Sequence, residues 1–374
     1  MSTNPRIYLD FNATAPLSAA AREAIAGALA VTGNPSSIHA EGRQARDLVE
    51  RARNQVAILA GRPREQIVFT SGGTEGNSLG VLGLAAVVER RGGPRVVVTT
   101  AIEHPSLRGP IQVLAARGWE IRGGGPARLD NGSIAGAGLV AIAAVNHELG
   151  TIADLPTIAA AARAAGALLH VDAVQAAGKL ALGEIEADTL VVSAHKLGGP
   201  AGSGALAITL DDALPLLEAG HQERGRRPGT ENVLGIVGFG AVAATVDVAG
   251  WAAVAVLGDR LEAGLRALDG VRIHGAGALR IGGTVNAGFA GARGESLVVA
   301  LDLEGIATST GAACTSGSVQ PSPVLLGLGL APEQAREAVR FSLGRSTTRA
   351  EVEHVLACLP ALLARARAYA PRRA

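Results

Sequence analysis

Several short stretches of this chain carry side chains that could do chemistry. Lys196 closes Ser193-Ala194-His195-Lys196, after an apolar run and ahead of the small-residue stretch Leu197–Gly204. A lysine on a loop after a buried strand is partly desolvated, which lowers its pKa and frees the amine to form an imine. The chain has 34 basic residues, yet only Lys179 and Lys196 are lysine. Arginine stays protonated and cannot form an imine, so a surviving lysine suits a role that arginine cannot fill. An exposed surface lysine is the ordinary alternative.

Asp172 ends another apolar run, in Val171-Asp172-Ala173-Val174-Gln175. A carboxylate there can keep a pyridine nitrogen protonated, or simply cap the next helix. Thr70-Ser71-Gly72-Gly73-Thr74-Glu75 joins a strand to a helix. Its small residues, hydroxyls and free N–H groups suit a phosphate, and a capping box explains them as well. His104, in Ile102-Glu103-His104-Pro105, can stack on an aromatic ring and shuttle protons, or be structural. His170 lies within an apolar strand and reads as a core residue.

Cys314 lies in Gly311-Ala312-Ala313-Cys314-Thr315-Ser316-Gly317-Ser318, a small, polar, aperiodic segment where a thiol is accessible and its reactivity expressed. Cys358, on the apolar side of the last helix, reads as a packing residue. Two cysteines are too few for a disulfide framework, which fits a reducing cytoplasm. Arg340 is embedded in Val339-Arg340-Phe341-Ser342-Leu343 and needs a partner. A substrate carboxylate is one, a structural acidic side chain another. No His/Cys cluster has metal-ligand spacing.

The elements that must position these residues follow from the patterning. At 374 residues the chain is expected to form two domains. Apolar runs at Gln66–Thr70, Arg95–Thr100, Leu139–Val145, Ala167–Asp172 and Thr189–Ser193 alternate with helical stretches. They predict an α/β architecture whose mostly parallel sheet is covered on both faces. Beyond residue 251 short strands (Val271–His274, Thr284–Phe289) and helices (Asp259–Leu268, Pro332–Ala338, Glu351–Ala368) predict a smaller α+β domain. The apolar stretch Val233–Gly258 holds Asp247 and five glycines and reads as a buried helix broken near Gly250, not a membrane span. A net charge of +1, with no basic–aromatic runs, argues against nucleic-acid or membrane-surface binding. No secretory signal is visible at the N-terminus.

Taken together, the motifs resemble the cysteine desulfurases of the NifS/IscS-like group, within the class V, fold-type I pyridoxal-phosphate enzymes. The stretches that carry the resemblance are Tyr8–Pro16, Gly33–His39, Thr70–Glu75, Glu103-His104, Val171–Gln175, Ser193–Lys196, Gln222–Glu231, the Cys314 loop and Arg340–Arg345. The Gly33–His39 and Gln222–Glu231 wording is closer to the nitrogen-fixation branch. The resemblance implies a large cofactor domain over residues 15–250, with a sheet of the seven-stranded type. It implies a smaller domain of residues 1–14 and 251–374 that carries Cys314. Lys196 would hold pyridoxal 5'-phosphate as an imine, His104 would stack on the ring, Asp172 would pair with the ring nitrogen and Gln175 would face the ring hydroxyl. Thr74, Ser193 and His195, with the Gly73 backbone, would hold the phosphate. Thr230 would reach it across a homodimer interface. Arg340, Asn12 and Asn146 would bind substrate. Cys314 would take the sulfur of L-cysteine as a persulfide, leaving alanine, and pass it by loop movement to an acceptor such as an iron–sulfur scaffold. One departure is Asn146-His147-Glu148, where the family has Asn-Asn-Glu. His147 would then take the place of the asparagine that contacts the cofactor hydroxyl and substrate. A class V aminotransferase or lyase with an incidental cysteine, a selenocysteine lyase and a non-catalytic relative are the competing readings.

Overall fold

A computed structural model describes residues 6–123, 129–212, 215–311 and 320–368. They form two compact units. The larger takes Thr14–Val145 and Ala153–Val248; the smaller takes the described residues of Met1–Ala13, Asn146–Ile152 and Ala249–Ala374. The turn Asn146–Ile152 belongs with the smaller unit because its backbone pairs there: Ile152 N donates to Leu279 O at 2.9 Å, and Thr151 bridges Arg280.

Strand β1 (Ile7–Tyr8) is part of the smaller unit. Seven strands follow in the larger: β2 (Ile67–Thr70), β3 (Val96–Val98), β4 (Glu120–Arg122), β5 (Leu139–Ala143), β6 (Leu168–Asp172), β7 (Thr189–Ser193) and β8 (Gly204–Ile208). They make one sheet in the order β2-β8-β7-β6-β5-β3-β4. Pairings from β7 to β4 are parallel, and β8 runs antiparallel to both β7 and β2. The apolar runs predict a mostly parallel sheet, and the resemblance implies its seven-stranded type; both hold here. Two of its strands were not foreseen. The run Gly204-Ala-Leu-Ala-Ile208 directly follows a small-residue stretch and is not among the apolar runs that predict the sheet, while Glu120-Ile-Arg122 is a polar strand at the edge of the sheet.

Helix α1 (Ala19–Ala28) precedes α2 (Ala40–Ala60), α3 (Gly73–Arg90) and α4 (Pro105–Ala116). α3 lies very close to the sheet. A Cβ at Gly76 would come within 2.8 Å of Val191 Cγ1, and one at Gly80 would overlap the His170 imidazole. The glycines four residues apart therefore form the face that meets β6 and β7. The aromatic-poor core is built from aliphatic side chains such as Val81, Leu84, Leu107, Leu114 and Leu139, all buried. Each contributes roughly 1.5–3 kcal/mol, so many small burials replace a few large ones.

α2 buries Ala45, Val49, Ala52, Arg53, Val56 and Ala60 at helical spacing. Arg53 is the exception among them, and it is satisfied. Its Nη1 and Nη2 each donate to Glu223 at 2.7 Å, and Glu223 also accepts from Phe69 N at 2.7 Å. Glu223 and its neighbour Arg224 have φ of 49° and 59°, the left-handed region that non-glycine residues seldom adopt. The buried ion pair thus pins a strained loop to α2 and β2.

In the smaller unit β9 (Val271–Ile273), β10 (Thr284–Phe289) and β12 (Ala338–Ser342) form an antiparallel sheet in the order β12-β10-β9; β1 pairs in parallel with β11 (Ile306–Ala307). Helices Trp251–Arg266, Gly294–Leu303 and Arg349–Ala368 contribute Leu261, Leu297, Val352 and Leu359 to a core shared with Phe289 and Phe341. The helix expected over 332–338 ends at Ala335, because Ala338 opens β12. The apolar stretch near residue 250 is two helices, Val233–Ala244 and Trp251–Arg266. No helix among the described residues is long and apolar enough to cross a membrane.

Two predictions follow from these buried charges. Arg53→Met leaves Glu223 buried without its partner, so the melting temperature should fall by on the order of 10 °C. A drop under about 2 °C in a thermal scan would remove the pair from any structural role. Glu103 is fully buried, accepting from Thr100 Oγ1 at 2.6 Å and Ala143 N at 2.9 Å. Burial pushes its carboxyl from 4.5 up to about 7. A group with a higher pKa folded than unfolded contributes most below the unfolded value, and that contribution fades as pH rises through the folded value. Glu103→Gln should remove a stability difference of on the order of 3 kcal/mol that accrues between about pH 4.5 and 7. Urea titrations in which parent and variant run parallel across that window would contradict it.

Candidate active site

Ala143, Asp172 and Ser193 end three adjacent strands of the larger unit, with Ala143 opposite Asp172 and Asp172 opposite Val191. Open α/β sheets bind ligands beyond such carboxyl ends. The loops after β2 and β3 deliver Ser71–Thr74 and Glu103-His104.

Asp172 is buried, and burial raises its pKa. Three groups oppose that rise. Val174 N donates to Oδ1 at 2.9 Å, Asn77 Nδ2 donates to Oδ2 at 2.7 Å, and the Lys196 ammonium favours the anion. Lys196 itself closes a single 3-10 turn, Ala194–Lys196, directly after β7. The two groups are therefore electrostatically coupled. Gln175 is buried, and its Oε1 accepts from Lys179 Nζ at 3.0 Å. That contact aims the amide and gives the second lysine of the chain a partner.

His104 caps α4. Its Nδ1 accepts from Ser106 N at 3.1 Å and lies 2.7 Å from Ser106 Oγ, which assigns the ring proton to Nε2 in the neutral imidazole. His195 Nδ1 lies 3.3 Å from Thr14 Oγ1. Burial, helped by Lys196, lowers its pKa to about 4. At neutral pH it acts as a hydrogen-bonding imidazole rather than a cation.

The start of α3 has the features of an anion site. Gly72 is its N-cap and supplies no side-chain bond, so the first N–H groups are not capped by a side chain. Ser193 Oγ is buried with no hydrogen-bond partner. A Cβ at Gly73 would come within 2.9 Å of Val174 Cγ2, and one at Gly72 within 3.9 Å of Ser193 Oγ, so the glycines keep the approach open. Helix N-terminal N–H groups, the dipole and an unpaired hydroxyl together fit a phosphate. Thr74 is exposed in the first turn. Thr230 is exposed on a loop that Arg227 ties to this helix start, its Nε donating to Glu75 Oε1 at 2.8 Å.

In the smaller unit Arg340, on β12, is buried. Its Nη2 donates to Asp10 Oδ1 at 2.7 Å and its Nη1 to His147 O at 3.2 Å, while Nε is buried and unsatisfied. The guanidinium thus has the acidic partner that burial demands, with one donor still unmet. Asn12 Nδ2 donates to His147 O and Thr284 Oγ1, both at 3.1 Å. Asn146 Oδ1 accepts from Glu148 N at 2.9 Å and Leu149 N at 3.0 Å, capping its own turn. His147 Nε2 lies 3.6 Å from Glu148 Oε1. Cys314 lies outside the described residues. Cys358 is half-buried against the core of the smaller unit, 3.5 Å from His354 Nε2, and burial raises its thiol pKa. Among the described residues no group of three or more His, Cys, Asp or Glu could hold a metal ion.

Three polar residues around these sites escaped the sequence reading. Asn77 and Ser106 hold Asp172 and His104, and Asp10 holds Arg340. The signal for Asn77 was present: it is a buried polar residue on a helix face otherwise lined by glycine.

Comparison with known proteins accords with this geometry. The class-V aminotransferase family model matches residues 7–355. A cysteine desulfurase of Trichormus azollae is 40% identical over 98% of this chain and 94% of its own length. A solved NifS-like protein superposes with a TM-score of 0.86 at 30% identity, covering 96% of this chain and 99% of that one. A structure of SspA in complex with cysteine superposes at 0.77 with 26% identity, covering 91% and 100% of the two chains. The chain belongs to the class-V aminotransferase family, in its cysteine desulfurase branch.

Proposed function

We propose that the chain is a pyridoxal-phosphate-dependent cysteine desulfurase that moves the sulfur of L-cysteine onto Cys314 and releases L-alanine. The observation that carries this reading is the unpaired Ser193 hydroxyl beside the uncapped start of α3, on a sheet end that also presents Asp172 and Lys196. When bound, the cofactor supplies an electron sink for carbanionic chemistry at the substrate.

The chain's own residues do the rest. Ser193, His195, Thr74 and the Gly73 N–H hold the phosphate. Asp172 keeps the ring nitrogen protonated, Gln175 meets the ring hydroxyl and His104 stacks on the ring. Lys196 would anchor the cofactor and carry the proton from the substrate Cα and back to it. Arg340 binds the substrate carboxylate, with Asn12 and Asn146 beside it and His147 in place of the usual asparagine. The Cys314 thiolate attacks the substrate sulfur. The Cβ–S bond breaks, an S–S bond forms, and Cβ takes a proton to give alanine. One cysteine and one enzyme thiol thus become one alanine and one persulfide. Thr230 completes the phosphate site of a partner subunit in a homodimer, and the sulfur passes in the cytoplasm to a sulfur-acceptor protein such as an iron–sulfur scaffold.

The test is alanine and sulfide formation from L-cysteine with a dithiol reductant. The parent should form both. Cys314→Ala should form neither at an appreciable rate while keeping the cofactor's visible absorbance, and Lys196→Ala should lose both turnover and that band. Cys314→Ala turning over at the parent rate would move the chain to the lyase or aminotransferase reading. A large rate preference for selenocysteine would make it a selenocysteine lyase.

A further inference from the structure

Behind Asp172 lies a chain of buried polar groups that runs across α3, β6 and β7. Asn77 Nδ2 donates to Asp172 Oδ2 at 2.7 Å and to Ser106 Oγ at 2.9 Å, so both of its amide hydrogens are used. Its Oδ1 lies 3.0 Å from His170 Nε2, and His170 Nδ1 lies 2.8 Å from Thr189 Oγ1. Asn77 and His170 are fully buried, and Thr189 is 1% exposed. With water excluded, each donor in this chain needs an acceptor.

That requirement fixes the protons. Asn77 presents its carbonyl to His170, so Nε2 must carry the imidazole hydrogen. Nδ1 is then an acceptor, and the Thr189 hydroxyl donates to it. Burial independently lowers the His170 pKa to about 3, which keeps the ring neutral. The arrangement also explains Gly80, where any side chain would overlap the imidazole. A flipped Asn77 would set its NH2 against the His170 N–H and its carbonyl against the Asp172 carboxylate. Both contacts are repulsive, so the imidazole locks the amide in one orientation.

We infer that His170, acting through Asn77, is a positioning residue for Asp172: its neutral Nε2–H form holds the Asn77 amide on the carboxylate, so that Asp172 stays ionised and aimed. This rests on the reading above, in which Asp172 pairs with the cofactor's ring nitrogen. Burial alone would favour a protonated Asp172, which could not keep that nitrogen protonated. The same amide reaches His104 through Ser106, whose Oγ lies 2.7 Å from His104 Nδ1. One asparagine therefore orients two of the groups assigned to the cofactor ring, Asp172 and His104.

The experiment uses the holoenzyme loaded with pyridoxal phosphate labelled with 15N at the ring nitrogen, and histidine labelled in the same way. In the parent, His170 should show the neutral Nε2–H pattern from about pH 5 to 9, without the titration of an ordinary histidine. The ring nitrogen should be protonated. His170→Phe and Asn77→Leu should shift the ring nitrogen toward unprotonated pyridine and weaken cofactor binding about tenfold, the effect of losing one charge-assisted hydrogen bond. His170→Gln should restore both, because its amide N–H can donate to Asn77. A merely structural role would lower the melting temperature without changing the ring-nitrogen signal. The inference is overturned if His170 carries its proton on Nδ1, or if His170→Phe keeps the parent's ring-nitrogen shift and affinity. Should His170→Phe fail to fold, Thr189→Val takes its place; it removes the donor to Nδ1 but leaves the Asn77 carbonyl facing Nε2, so His170 should keep its Nε2–H tautomer and the ring nitrogen its parent shift, and a proton that moves to Nδ1 overturns the inference. A parent that takes up no pyridoxal phosphate refutes the functional reading instead, and the tautomer measurement still decides the network.

Discussion

A carboxylate buried at the end of a parallel strand sets the terms for much of the larger unit. Asp172 must be surrounded by donors or it will take up a proton. The donors come from three directions: the backbone of Val174, the amide of Asn77 and the charge of Lys196. Asn77 can serve only if α3 lies almost on the sheet, and α3 can lie there only because Gly76 and Gly80 present no side chains. The glycine content, the helix–sheet distance and the ionisation of one aspartate are thus parts of a single solution.

Much of this architecture was legible in the sequence. The runs at Leu139, Ala167 and Thr189 are apolar on both faces because both faces are covered, and that pattern predicts the parallel core directly. Asp172, Ser193 and Lys196 stand where such runs end, which is enough to bring them to one edge. Strand β8 was not legible, since Gly204–Ile208 is short and its glycine and two alanines carry little strand propensity. Its antiparallel direction depends on pairing with β2, far away in the chain. β12 was missed for a related reason: Arg340 interrupts its apolar pattern, and partners remote in sequence, Asp10 and the His147 carbonyl, make that arginine tolerable in a buried strand.

His170 shows the limit of local reading. A histidine inside an apolar strand looks like packing, and by burial that is correct. Its chemistry comes from residues that are remote in sequence, Asn77 on a helix and Thr189 on the next strand. Hydrogen-bond direction is a property of the whole set, and no member of it carries the information alone.

The close fit of Gly80 against the His170 ring also constrains how this sequence can drift. An alanine at position 80 is incompatible with an imidazole at 170, and a smaller residue at 170 leaves a void that a glycine cannot fill. Position 80 cannot gain a side chain while position 170 keeps its imidazole, so a change at 80 has to follow one at 170. The two positions therefore form a paired character, by which chains that route the Asp172 contact through an imidazole can be told from chains that have found another way to hold it.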